Sequence, residues 1–505
     1  MPQNINIVWF KRDLRVSDHV PLARAAASGP VLALYIIEPE YWALPDVSRR
    51  HWHFIHDSLQ TLRDDLGARA APLVIRTGDA LQVLEAIRTM YGAITLWSHE
   101  ETGNGWTYAR DIRVLAWCRA HGIAWHETPS GGVVRRLKSR DGWSKIRDAR
   151  MAEPLTDAPK QLFAAPNMVS EVLPAKDSPL FGPMAIGNVQ AGGRPEALKT
   201  LNSFLHERAI HYMKTISKPG SSARHCSRLS AHLAYGTLSV REVEHATKLR
   251  MQQLALSNDE QAPQWRRNLA AFLSRLAWHC HFMQKLEQQP AIEFRCMHPA
   301  FEGMREPHHR EDFFTAWKTG TTGYPLVDAC MRSLHENGWI TFRMRAMLVS
   351  FASYHLWLDW RKTAPFMAQL FTDYEPGIHY SQFQMQSGVT GINAVRMYNP
   401  IKQSLDHDAE GKFIRRYVPE LKAVPNSFIH EPWRMDAPPA NYPKPIVEHE
   451  AAIKHARTEI SKRWQESGFR DASRAVNQKL GSRNKQPHRT KKTKKEPSKQ
   501  LTFEL

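Results

Sequence analysis

The chain has 505 residues, of which 42% are hydrophobic and 23% charged, enough for about three domain-sized units and too apolar for a disordered chain. Lys and Arg number 68 against 50 Asp and Glu, a formal charge of +18 that favours a polyanionic partner, nucleic acid first. No run approaches the roughly 18 apolar residues of a membrane span. The first residues lack a signal-peptide pattern, and five scattered cysteines without a CxxC argue against a disulfide framework or a zinc ribbon. Together these features predict a cytoplasmic, soluble monomer.

Residues 1–130 alternate short apolar runs with amphipathic stretches. Strands are expected at Ile5–Phe10, Val31–Ile37, Pro72–Arg76, Ile94–Ser98 and Ile123–His126, with helices near 19–27, 50–66, 79–90 and 105–120. That rhythm predicts a doubly wound α/β domain with a parallel, five-stranded sheet. The loop after the first strand, Lys11-Arg-Asp-Leu-Arg-Val-Ser17, has no GxGxxG, so no dinucleotide fingerprint is present there. Residues 131–197, with Gly131-Gly132, several prolines and Ala191-Gly-Gly, read as a connector of little periodicity.

From 198 to 480 strand patterning is lost and a large all-α domain is expected. Its helices are placed at Arg241–Leu256, Gln264–Leu286, Asp312–Lys318, Pro325–Asn337 and Thr341–Arg361. On the last of these, Trp357 and Trp360 are three apart and should share a face. Residues 481–505 form a basic tail, expected to be disordered and to add salt-sensitive contacts with nucleic acid or protein. The segment 482–505 carries +6, so +12 remains on the body.

The helical part is rich in aromatics, which are ordinary core residues when taken singly. Arg275, Arg343, Arg345 and Arg396 are embedded among them. A buried guanidinium needs an anionic partner, either a carboxylate such as Asp373 or Glu375 or a phosphate. Ser227-Arg-Leu-Ser230 precedes a short apolar helix and suits a pyrophosphate, though capping serines are common. The histidine groups 51/53/56, 279/281 and 308/309 lack clean ligand spacing, and no metal site is expected. GxSxG, HExxH and P-loop patterns are absent.

Several segments then carry a resemblance. Trp9-Phe-Lys-Arg-Asp-Leu-Arg15, Ser227-Arg-Leu-Ser-Ala-His-Leu-Ala-Tyr-Gly-Thr-Leu-Ser239 and the long run from Ala316 to Arg332 resemble the cryptochrome/photolyase family. So do Asn337–Arg345, Asp359-Trp-Arg361, Tyr398-Asn-Pro400, Phe413-Ile-Arg-Arg416 and Pro419-Glu-Leu421. The similarity spans about residues 5 to 425 in the family's order. It implies a non-covalent FAD in the helical domain and, in many members, a second antenna chromophore on the α/β domain, whose identity stays open here. By the resemblance, Tyr212 and Cys226, Ser227, Arg228, Leu229 and Ser230 meet the FAD phosphates and ribose. Phe272, Arg275, Arg345, Asp373 and Glu375 line the isoalloxazine. Trp278 faces the substrate pocket, Arg343 and Arg396 hold DNA phosphates, and Trp360 is the middle member of an electron-carrying tryptophan chain.

The chain departs from the family's pattern at several of these positions. Arg275 stands where a lesion-binding glutamate is usual, and Ala346 where methionine or a catalytic histidine is usual. The flavin-proximal Asn or Asp falls on Gly377 or His379. The proximal tryptophan falls on Ser381 or Phe383 and the distal one on Pro307, leaving Trp357 or Tyr380 as bypass. The folate-contacting pair falls on Trp106-Thr107. Two functions follow from the resemblance: light-driven repair of cyclobutane pyrimidine dimers in UV-damaged DNA, or a cryptochrome-like photoreceptor without repair. A class I aminoacyl-tRNA synthetase shares the layout but would need an HIGH-type sequence that is missing. Gln500–Leu505 loosely matches clamp-docking peptides, with Glu504 out of pattern.

Overall fold

The computed structural model describes residues 4–182 and 187–483; the tail beyond Arg483, with the clamp-like Gln500–Leu505, lies outside them. Five strands form one parallel sheet in the order β3-β2-β1-β4-β5: β1 Ile5–Phe10, β2 Val31–Ile37, β3 Val74–Thr77, β4 Ile94–His99 and β5 Trp125–Thr128. β1 and β2 are buried along their whole length, as expected of strands covered on both faces. Helices Val20–Ser28, Arg49–Gly67, Ala80–Tyr91 and Gly105–Ala120 cover them. These elements fall within about two residues of the sequence expectation.

The stretch after β5 is more structured than its composition suggests. Trp143, Arg147 and Met151, spaced by four, form the buried face of a helix Trp143–Ala152 that packs with the helical domain's core. Further on, the chain runs along the sheet: Val31 N donates to Phe163 O at 2.7 Å, and Ala165 N to Val31 O at 2.9 Å. Ile75 N donates to Ser170 Oγ at 2.9 Å, so edge strand β3 is covered rather than left open.

In the helical domain one expectation is corrected. Thr341–Arg361 is not one helix: it runs as Phe342–Ser350, widens into a π turn over Phe351–His355, and restarts at Trp360. Trp357 adopts a left-handed backbone with φ 53°. Asp359 caps the new helix, its carboxylate accepting from Arg361 N at 2.7 Å. Trp357 and Trp360 therefore do not share a face. Trp357 packs on Arg305 and His455, whereas Trp360 is enclosed with Arg361 over its ring.

The two domains dock through the loop that lacks a dinucleotide fingerprint. Arg12 donates to Ala234 O at 2.9 Å and Tyr374 O at 2.6 Å, and Arg15 to Gly236 O at 3.0 Å. Asp18 pairs with Arg241 at 2.5 Å and accepts from Ser239 Oγ at 2.5 Å. Gly236 sits at φ 65°, and a Cβ there would lie 2.3 Å from Arg12 O; only glycine permits this approach.

Candidate functional site

The predicted ligand-binding residues converge in the helical domain. Tyr212, Cys226, Leu229 and Phe272 belong to one buried cluster, with Tyr212 and Phe272 ring centres 6.1 Å apart. Beside it the chain turns through Arg228 at φ 60° into the short helix Ser230–Ala234. Arg345 and Asp373 form a bidentate pair at 3.0 and 2.9 Å, and Ser230 also hydrogen-bonds Asp373. Burial opposes the Asp373 charge, but Arg345 overrides it and holds the carboxyl below its usual range.

Glu375 accepts from His279 Nε2 at 2.8 Å. Burial disfavours the imidazolium, yet Glu375 and Cys280 raise His279 to about 10, so the pair is ionic at neutral pH. A cavity of about 100 Å³ reaches this pair from the sheet side, lined by Arg12, Gly132, Gly236, Cys280 and Met283 among others.

Arg228 lies 4.2 Å over the Trp339 ring and donates to Gln190 Oε1 at 3.2 Å. Burial lowers its pKa to about 10, so it stays charged, and among the described residues no carboxylate contacts it directly. A half-buried cation with no carboxylate in contact among the described residues, next to serines and stacked aromatics, fits a phosphorylated planar cofactor.

The remaining expected residues are more dispersed. Of the embedded arginines, Arg345 has Asp373 in contact. Arg275 is exposed on the helix Ala262–Gln288, where it hydrogen-bonds Tyr212, and Arg396 is exposed and engaged by neighbouring groups. Trp278 is half-buried and stacks on Phe282 at 5.6 Å. Arg343, half-buried, donates to Ser217 Oγ at 3.1 Å and shares the vicinity of His407 with Lys218 and Lys402. Burial and these cations lower His407 to about 4, so it is neutral. This basic rim adds two lysines that sequence reading had passed over, because they lie 184 positions apart.

Gly377 and His379 point to opposite sides. A Cβ on Gly377 would lie 2.7 Å from Met283 Sδ, while His379 Nε2 donates to Ala364 O at 2.9 Å and the ring packs on Phe383. Ser381 and Phe383 are buried and Ala346 is 2% exposed; Pro307 lies in a short surface turn. Asn104 caps the helix Gly105–Ala120, its Oδ1 accepting from Thr107 N at 3.1 Å while Thr107 Oγ1 donates to Asn104 O at 3.0 Å, and Trp106 packs on Tyr41.

A further polar cluster escaped the sequence reading. Asp13 Oδ2 contacts His19 Nε2 at 2.9 Å and His99 Nδ1 at 2.7 Å, a grouping that could hold a metal by proximity. However, His19 Nδ1 accepts from Leu22 N at 3.1 Å. Nε2 therefore carries the proton and donates to Asp13, leaving no lone pair for an ion. Burial holds His99 near pKa 3. The cluster is a hydrogen-bonded clasp at the end of β1 and β4.

A parallel α/β domain docked on a helical domain, with a buried arginine–carboxylate–serine nest in the helical half, defines a two-domain protein built around a phosphorylated aromatic cofactor. Residues 6–141 match the family model described as DNA photolyase, and residues 272–462 the model described as the FAD binding domain of DNA photolyase. The deoxyribodipyrimidine photo-lyase of Agrobacterium fabrum is 30% identical, covering 89% of this chain and 96% of that protein. Cryptochrome DASH of Synechocystis is 28% identical, over 89% and 96%. Among solved structures, a class III photolyase from Agrobacterium tumefaciens superposes with a TM-score of 0.78 at 27% identity, covering 92% of this chain and 99% of that one. The Synechocystis cryptochrome gives 0.80 at 26%, covering 91% and 99%. The chain belongs to the cryptochrome/photolyase family, and its cofactor is FAD.

Proposed function

We propose that the protein repairs cyclobutane pyrimidine dimers in DNA, using light to drive electron transfer from reduced FAD. The observation that carries this reading is the basic rim. Arg343 is held by a serine hydroxyl, with no carboxylate in contact among the described residues, and Lys218 and Lys402, the latter paired with Asp406 at 3.3 Å, stand beside it. Such a rim suits consecutive backbone phosphates.

FAD supplies a light-excitable electron donor. The side chains do the rest. Arg345 and Asp373 fix each other bidentately and present a rigid polar edge to the cofactor, while Arg228 and Ser227–Ser230 take its phosphates. The aromatic surfaces of Phe272 and Trp278 exclude water from the pocket. Arg343 and Arg396 hold phosphates flanking the lesion, so the dimer must leave the base stack to enter; a damaged step, already poorly stacked, does so most cheaply.

The second reading, a photoreceptor without repair, is favoured by the exposed cation Arg275 at the position where a lesion-binding carboxylate is usual. Dark binding separates the two. Repair requires at least about tenfold tighter binding to a dimer-bearing oligonucleotide than to the undamaged one, the equivalent of about 1.4 kcal/mol. Equal affinities would remove lesion recognition and favour the photoreceptor.

A further inference from the structure

Reduced flavin must be regenerated whenever it is oxidised, and the chain's own aromatic side chains are the nearest source of electrons. Two tryptophans expected to serve are poorly suited. Trp357 lies 4.6 Å from the Arg305 guanidinium, a buried cation whose hydrogen bonds go to the Ser353 and Ser387 carbonyls. A cation at that distance opposes a second positive charge on the indole. Trp360 has Arg361 5.0 Å from its ring, a cation already matched by Glu302, Glu306 and Asp359, but among the described residues no carboxylate meets its indole N–H to take a proton.

Tyr380, the other expected bypass, and Tyr374 meet the opposite environment. Tyr374 stands between Asp373 and Glu375 in the chain and is fully enclosed. Its hydroxyl donates to Asp46 Oδ2, and Tyr380 OH donates to the same oxygen at 3.2 Å. Asp46 is 3% exposed and takes a further, longer contact from Asn104 Nδ2 at 3.4 Å. Burial and the neighbouring Tyr380, Asp46 and Glu293 hold the Tyr374 hydroxyl well above its usual pKa; the phenol is neutral until oxidised. Phenol oxidation is strongly favoured when a base already hydrogen-bonded to the hydroxyl can take the proton in the same event.

We propose that Tyr374, with Asp46 as its proton acceptor and Tyr380 as its relay, is the internal electron donor to the light-excited oxidised flavin. One electron leaves Tyr374 for the flavin and the phenolic proton passes to Asp46 Oδ2, leaving a neutral phenoxyl radical and a protonated carboxyl. An external thiol then returns one electron, and Asp46 returns the proton. This inference rests on the FAD assignment and the light-driven reading above.

The test is transient absorption of the purified, oxidised holoprotein after a blue-light flash, with thiol present, in water and in deuterium oxide. The expected result is the narrow phenoxyl band, formed more slowly in deuterium oxide. Y374F and Y374F/Y380F should lose the band and photoreduce at least tenfold more slowly at unchanged flavin content. D46N should keep its flavin and lose the isotope effect. A broad indole-radical band in the wild type, with no phenoxyl signal, overturns the proposal even if no variant folds. So does wild-type photoreduction in Y374F/Y380F. Repair by the chemically reduced protein alongside either of those results would leave the function standing and sink only this donor. A holoprotein that photoreduces through Tyr374 yet repairs nothing would do the reverse.

Discussion

The His279–Glu375 pair makes stability depend on pH in a defined direction. His279 moves from about 6.5 when unfolded to about 10 when folded. A raised folded-state pKa contributes fully below pH 6.5 and is lost as pH rises through about 10. That rise, from 6.5 to about 10, is worth at most ~5 kcal/mol at 1.36 kcal/mol for each tenfold change in proton affinity. Because His279 and Glu375 keep 17% and 12% of their side-chain surface in contact with water, roughly half of that ceiling, about 2–3 kcal/mol, is the expected effect. Glu375, whose pKa burial raises but His279 lowers further, is ionised in both states across this window and adds no slope, whereas Cys280, held below its usual range despite burial by His279 and Arg147, adds stability as pH rises and trims the loss. The assay is urea unfolding of the holoprotein at intervals from pH 6 to 10, beside H279Q. Wild type should lose about 2–3 kcal/mol relative to H279Q between pH 6.5 and 10. Parallel profiles for the two proteins would refute an ionic pair at this site.

Three further outcomes are expected. D373N should leave Arg345 unmatched, cost about 3 kcal/mol and release FAD, read by urea unfolding and flavin content; a fully loaded, equally stable D373N would contradict the nest. G236A should destabilise the protein by at least about 2 kcal/mol, since it combines left-handed strain with a backbone clash at the domain seam; a calorimetric midpoint equal to wild type would show that the seam can yield. K218Q and K402Q should each weaken binding to damaged and undamaged DNA alike and lower the salt slope by about one. A loss confined to damaged DNA would place those lysines at the lesion instead.

The α/β half was legible because each strand is a short apolar run bounded by turn residues, and each crossover helix carries its own periodic face. The break at Leu356–Asp359 was not legible from periodicity, because apolar residues continue straight through it. Its signal was the capping potential of Asp359 ahead of Trp360-Arg361. In the site, Arg345 and Asp373 are 28 positions apart; the need of a buried guanidinium for an anion made Asp373 a candidate partner, and the family's motifs placed both at the flavin. The partnership of His279 with Glu375 was missed because His279 was weighed as a metal ligand beside His281. Asp46 with Tyr374, 328 positions apart, and Asp13 with His99, 86 apart, leave no local pattern. Such contacts arise from the docking of two domains and the meeting of strand ends, which no window of sequence contains.

Light-driven repair is the property to measure directly. Reduced holoprotein should be mixed anaerobically with a thymine-dimer oligonucleotide, and the base-band absorbance followed in blue light and in darkness. Recovery of absorbance in the light, and none in the dark, is the predicted result. No recovery, with FAD bound and reduced and the oligonucleotide bound, would contradict it and leave the photoreceptor reading in its place.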